Sequence, residues 1–157
     1  MVYYTPMIGF EQMITRLLVS LVLGALMGLE RELVGKEAGI RTSMMVASGA
    51  TIFSMIGLEL PYIIDPTGQS VAQIIVSNGG YLAIIANIVI GIGFLGAGII
   101  IKTEKHVHGL TTAAVIWATA AIGVLAGLGL TKFAASTAII LFLVLLLVSR
   151  VNVHREG

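Results

Sequence analysis

Two short runs of fixed charge and one pair of imidazoles are the residues of this chain whose types and spacing suit chemistry. Glu30-Arg31-Glu32 closes one long apolar stretch and Arg41-Thr42 opens the next. A carboxylate at that end of a helix is unfavourable against the negative end of the helix dipole unless a cation pairs with it, and Arg31 or Arg41 is the expected partner of Glu30. Opposite charges attract far more strongly at a low-dielectric boundary than in bulk water. Glu30, Arg31, Arg41 and Thr42 are therefore expected to form one functional cluster, a latch that also accepts a cation or a partner's charge. The plainer reading makes the arginines interfacial anchors and Thr42 an N-cap. Glu30 is the candidate ligand should the cluster hold a metal ion. Glu30 and Glu32 stand two apart, so they point to opposite faces of one helix and share a cation only if the helix ends between them.

Asn87, an amide inside the third apolar stretch, is expected below that cluster. A hydrogen bond to Thr112 or Thr119 explains it more simply than a place on a ligand pathway. His106-Val107-His108 has metal-ligand chemistry, but beside Lys102 and Lys105 a solvated basic loop is preferred. No nucleophile, base and orienting group converge, so catalysis is not expected and no cofactor is implied.

The elements that must position these residues are membrane helices. With 57% hydrophobic and 11% charged residues among 157, and a mean hydropathy of +1.03, the chain carries more apolar surface than a soluble domain can hide. A net charge of +1 gives no sign of nucleic acid binding, and the absence of cysteine excludes disulfides and thiolate metal sites. Five apolar segments are predicted, over Glu11–Leu29, Thr42–Leu58, Tyr81–Ile101, Leu110–Leu128 and Lys132–Ser149. Each matches about 30 Å of hydrocarbon. The longer connection Glu59–Gly80 is punctuated by Pro61, Asp65-Pro66-Thr67-Gly68 and Asn78-Gly79-Gly80, and its Val71–Val76 reads as a short interfacial helix. The amino-terminal residues lack the basic start of a cleaved signal, so the first helix is expected to direct insertion.

Charge placement predicts orientation. Arg31, Lys36, Arg41, Lys102, Lys105, Arg150 and Arg155 fall on one side, and only Arg16 and Lys132 on the other. The positive-inside rule then puts the N-terminus outside and the C-terminus in the cytoplasm. The expected architecture is an all-α, polytopic bundle of five transmembrane helices over residues 1–150, with a short cytoplasmic tail at 151–157, in the cytoplasmic membrane.

Gly91-Ile92-Gly93-Phe94-Leu95-Gly96-Ala97-Gly98 contains Gly-x-Gly-x-x-Gly, but lacks the strand, polar helix start and acidic residue of a dinucleotide site. Its glycines, with Gly24 and Gly28 in the first segment and Gly123 in the fourth, instead suit close helix approach in lipid. Trp117 is expected to fill space left by glycines of a neighbouring helix. The second half of the fifth segment, Ile139–Val148, is expected to face lipid. Small residues on more than one face of segments three and four point to a homo-oligomer, with a dimer favoured.

Four ordered motifs carry a resemblance. They are Gly28-Leu29-Glu30-Arg31-Glu32, Lys36-Glu37-Ala38-Gly39-Ile40-Arg41-Thr42, the glycine run Gly91–Gly98, and Val107-His108-Gly109-Leu110-Thr111-Thr112-Ala113-Ala114 with Trp117 and Ala121-Ile122-Gly123. Over roughly Gly24 to Gly129 the chain resembles the MgtC/SapB family of bacterial and archaeal membrane proteins. The resemblance implies a link to adaptation to low magnesium, which makes Mg2+ the ion Glu30 would meet, and, in intracellular pathogens, to survival in macrophages. It also implies action on other membrane proteins, the F-type ATP synthase among them. Against the family pattern, Ser43 replaces a histidine and Asn87 a glutamine, and the chain is expected to be a short form without the soluble C-terminal domain of longer members. A membrane regulator is the preferred function, an oligomeric magnesium or other cation transporter or channel the alternative, and a structural complex component the third reading. No carboxylate lies mid-membrane to serve transport.

Overall fold

The computed structural model describes residues 6–153 apart from 66, 68, 69, 78 and 105. Lys105, Arg155, the turn positions Pro66, Gly68 and Asn78, and the last four residues of the expected tail lie outside the described residues.

Among the described residues six helices and one small hairpin follow in order: α1 (Phe10–Leu33), α2 (Ile40–Ile64), α3 (Val71–Ser77), α4 (Gly80–Ile99), β1 (Ile101–Lys102), β2 (Val107–His108), α5 (Leu110–Gly127) and α6 (Thr131–Val153). Five helical stretches of the described residues are long and apolar enough to cross a membrane, the third of them taking in α3 with α4. The hairpin departs from the all-α expectation. Ile101 lies opposite His108 and Lys102 opposite Val107 in antiparallel register, and the Thr103 N–H donates to the His106 carbonyl at 2.9 Å to close the turn.

Three helices outrun their predicted ends, α6 reaching Val153 where the fifth segment was expected to end at Ser149. α1 continues through Glu30-Arg31-Glu32 to Leu33, because these residues are good helix formers and nothing interrupts them before Gly35, whose φ of +63° suits glycine. α2 runs through Pro61 to Ile64, where the expectation ended it at Leu58. Proline removes one helical donor, yet the Pro61 carbonyl still accepts the Asp65 N–H at 3.1 Å, and Leu60, Tyr62, Ile63 and Ile64 carry the apolar run onward.

α1, α2 and α5 pack through small residues. A Cβ on Gly24 would lie 2.7 Å from the Ser43 carbonyl oxygen and 2.9 Å from the Ala47 Cβ, and one on Gly28 would lie 2.6 Å from the Ile40 Cα. At the α2–α5 crossing a Cβ on Gly123 would collide with the Ala47 carbonyl, and one on Gly127 would lie 2.5 Å from the Ser54 Cβ. In lipid, where area burial gives little drive between helices, such backbone approach is the main source of attraction. Leu23, Met27, Val115, Ile122, Ala134 and Ala138 join α1, α5 and α6, while Val46, Ala50, Ile116, Ala120 and Val124 join α2 and α5. On the second half of α6, expected to face lipid throughout, Leu143, Leu147 and Val148 are exposed, whereas Leu141 and Leu145 pack against the α1–α5–α6 core.

The glycine run of α4 behaves differently from those of α1 and α5. Only Gly96 is buried on that helix, its Cβ position 3.6 Å from the Ala113 Cβ. Gly91, Gly93 and Gly98 have no atom within 4 Å of a Cβ position, and Ala97 is exposed. They pack against nothing within the described chain, because α4 meets its neighbours through Ile85, Ile88, Ile92 and Ile99 instead. Trp117 is 52% exposed in a shallow groove between α4 and α5, beside Ile88, Val89 and Ile92. The α5 face toward α2 is occupied by Ile116, Ala120 and Gly123, a contact too close to admit an indole.

Candidate functional site

The last turn of α1 carries the most concentrated chemistry. Glu30 is fully buried and Arg31 is 5% exposed, although both are charged. The Arg31 guanidinium donates to both oxygens of its neighbour, Nε to Glu30 Oε2 at 2.5 Å and Nη2 to Oε1 at 2.6 Å. This two-pronged pairing matches the fork of the guanidinium to the carboxylate. It also answers the dipole, since the cation sits in the last helical turn where the unfilled carbonyls are negative. Removing two charges from water costs several kcal/mol per ion, and only such geometry offsets it.

The four-residue cluster read from sequence divides in two. Arg41 and Thr42 are exposed in the first turn of α2, whose N-cap is Gly39, so Thr42 does not cap it. Arg41 is not the partner of Glu30, because Arg31 takes both carboxylate oxygens. Thr42 lines a different feature, a groove of about 720 Å³ between α2 and α4 that also holds Met45, Phe53, Asn87, Gly91 and Leu95. Asn87 and Thr42 are the hydrogen-bonding side chains of that lining, and Asn87 is exposed. Among the described residues the expected bond from Asn87 to Thr112 or Thr119 is not seen: Asn87 is exposed, both threonines are buried, and the Thr119 hydroxyl donates to the Val115 carbonyl within its own helix at 2.8 Å.

Both oxygens of Glu30, the candidate Mg2+ ligand, accept from Arg31. Among the described residues no three His, Asp or Glu side chains gather as a metal cluster.

Several polar contacts between elements went unread in the sequence. Glu32 accepts the Ile40 N–H at 3.1 Å, supplying from α1 the cap that α2 lacks of its own. At the opposite end of α1, buried Glu59 accepts the Ile8 N–H at 2.5 Å and the Met7 N–H at 3.1 Å, strapping the segment before α1 to α2. Arg16 donates to the Gly127 carbonyl at 2.7 Å, a cation on the C-terminal end of α5. Glu59 was hidden by the Pro61 beside it, which read as a loop marker. The apolar residues on both sides of Pro61 were the available signal for a longer helix.

A family model described as the MgtC family matches residues 17–154, which takes in the buried ion pair, the α2–α4 groove and the hairpin. The chain belongs to the MgtC family. It is similar to Protein MgtC of Salmonella typhimurium strain LT2, 41% identical over 128 residues, which is 82% of this chain and 48% of that protein. Protein MgtC of Brucella abortus is also 41% identical, over 116 residues, 74% of this chain and 42% of the relative. A Haemophilus influenzae protein described as uncharacterized is 34% identical over 147 residues, 91% of this chain and 59% of its own. The chain thus spans about half the length of the curated relatives it matches. No solved structure matches it. Arg16 and the strap residues Met7 and Ile8 stand just before the matched stretch, so their contacts to Gly127 and Glu59 join its edge to its interior.

Proposed function

We propose that this member of the MgtC family acts in magnesium homeostasis and low-magnesium adaptation as a regulator of other membrane proteins, in the cytoplasmic membrane, with its N-terminus outside and its C-terminus in the cytoplasm. The observation that carries the reading is the uncovered face of α4. Gly91, Gly93 and Gly98 are open, and the adjoining groove against α2 presents Thr42 and Asn87 in an apolar wall. Open small residues and an amide inside a membrane are what a second transmembrane helix needs for close approach and one directional bond. That helix belongs to another membrane protein or to a second copy of this chain, a dimer being favoured.

Transport is the second reading. It is less well supported because Glu30 is neutralised by Arg31 and because backbone contact closes the α2–α5 crossing. Neither enzyme activity nor nucleic acid binding is part of the proposal.

The test pairs two assays. Expression in a strain that fails to grow at low magnesium is expected to restore growth, while the purified protein in liposomes shows no saturable magnesium entry. Saturable entry that disappears in a Glu30→Ala variant establishes transport instead. Because the chain has no cysteine, Phe94→Cys is a clean probe of the α4 face, and crosslinking to itself or to another membrane protein is expected. For orientation, a label in the loop following Asp65 is expected to react from outside the cell, and a reporter after Gly157 to be cytoplasmic.

A further inference from the structure

We propose that His106 and His108 form a two-imidazole binding site for Zn2+ on the hairpin between α4 and α5. Lys102, close by in sequence, stands against such a site, and the strand register moves it away. Side chains alternate between the two faces of a strand, and residues directly opposite one another share a face. Lys102 is opposite Val107, so it belongs to one face of the hairpin. His108 is opposite Ile101 and belongs to the other. His106 is two residues from His108, and the Thr103 N–H to His106 carbonyl bond carries the pairing one step past β2, so both imidazoles fall on the face away from Lys102.

Their spacing suits a shared ion. The ring centres are 6.1 Å apart and the rings are inclined at 54°. Two imidazoles bound to one tetrahedral Zn2+ at about 2.0–2.1 Å per Zn–N bond place their ring centres roughly 5–6 Å apart. Both side chains are exposed, so a small rotation of each closes the difference without disturbing a packed helix. Imidazole nitrogen selects Zn2+ and its borderline neighbours, whereas Mg2+ prefers oxygen ligands and keeps its waters. Water completes the coordination, and the site is independent of the Glu30–Arg31 pair and of the proposed magnesium function.

The experiment uses the full chain with a tag free of histidine, in lipid nanodiscs, with Zn2+ measured by competition against a fluorescent chelator. One Zn2+ per chain is expected, not displaced by millimolar Mg2+ and released on acidification, because a ligating imidazole must be neutral. His106→Ala and His108→Ala are each expected to weaken binding by at least the roughly tenfold that outer-shell changes alone cause, with helicity unchanged by circular dichroism. In the parent chain Zn2+ is expected to shift the ring resonances of two histidines together. The proposal is overturned if the parent binds no Zn2+, if the double variant binds as well as the parent, or if binding is lost only with His154→Ala.

Discussion

Thr51 of α2 donates its hydroxyl to the Gly123 carbonyl of α5 at 2.8 Å, and a Cβ on Gly123 would strike the carbonyl of Ala47, which that same hydroxyl also reaches at 2.9 Å. The bond and the close approach depend on each other. A hydroxyl can reach a carbonyl on a neighbouring helix only where the two backbones are very near, and only glycine permits that at this crossing.

Gly123→Ala is therefore expected to push α2 and α5 apart and to lower the thermal unfolding temperature in detergent markedly, with lower yield. Thr51→Val, which loses the bond and keeps the shape, is expected to cost about 0.6 kcal/mol, the average for interhelical bonds in a membrane protein, and no more than about 1.7 kcal/mol, the largest. Gly93→Ala, at a position open within the chain, is expected to melt and yield no lower than the parent. Equal melting of Gly123→Ala and Gly93→Ala would contradict this packing.

The buried ion pair makes a second prediction. Arg31→Ala leaves the Glu30 carboxylate buried without its cation, and a loss of roughly 3–5 kcal/mol is expected. Glu30→Leu combined with Arg31→Met removes both charges and is expected to recover most of that stability, whereas Arg41→Ala is expected to change little. Denaturant unfolding of the parent and these three variants, followed by circular dichroism, distinguishes this pairing from a Glu30–Arg41 latch.

Glu59 predicts the behaviour of the segment before α1. Glu59→Ala removes the acceptor for the Met7 and Ile8 N–H groups, and the buried Ile8 donor left unsatisfied costs about 1–3 kcal/mol unless the strap lifts into water. Lifting is the expected response. Hydrogen exchange at Ile8 should then rise by more than about tenfold, the equivalent of about 1.4 kcal/mol, while the exchange of α5 amides stays at the parent rate. Uniform change across the chain would argue for global loosening instead.

Asp65, in the loop after α2, predicts a pH dependence. The Thr67 hydroxyl, at 2.5 Å, and then the Ser70 N–H, also at 2.5 Å, hold its carboxyl below the ordinary value of 3.8. A depressed pKa means that the stabilisation is complete above 3.8 and is lost as pH falls through the lower folded value. The Thr67 and Ser70 amides are expected to lose exchange protection only in that acidic window. Asp65→Asn should abolish this dependence, as read by exchange measured against pH.

Much of this protein was legible without coordinates. Five helices long and apolar enough to span a membrane, and the short helix beginning at Val71, follow from the length and hydropathy of their runs, because an apolar stretch of bilayer length has few alternatives to a helix. The motif residues identified the family for the same local reason: they are neighbours in sequence. What the tertiary structure decided was partnership. Glu30 had two arginines within reach on paper, and the helix's continuation to Leu33 gave it to Arg31. Gly24, Gly123 and Gly93 look alike in a string of letters, yet the first two lie at helix crossings and the third faces outward, since the rotation of each helix about its axis is set by the summed packing of all its neighbours. Glu59 met the segment before α1 only because α2 ran past a proline, and His106 turned away from Lys102 only because two residues on each side paired as strands.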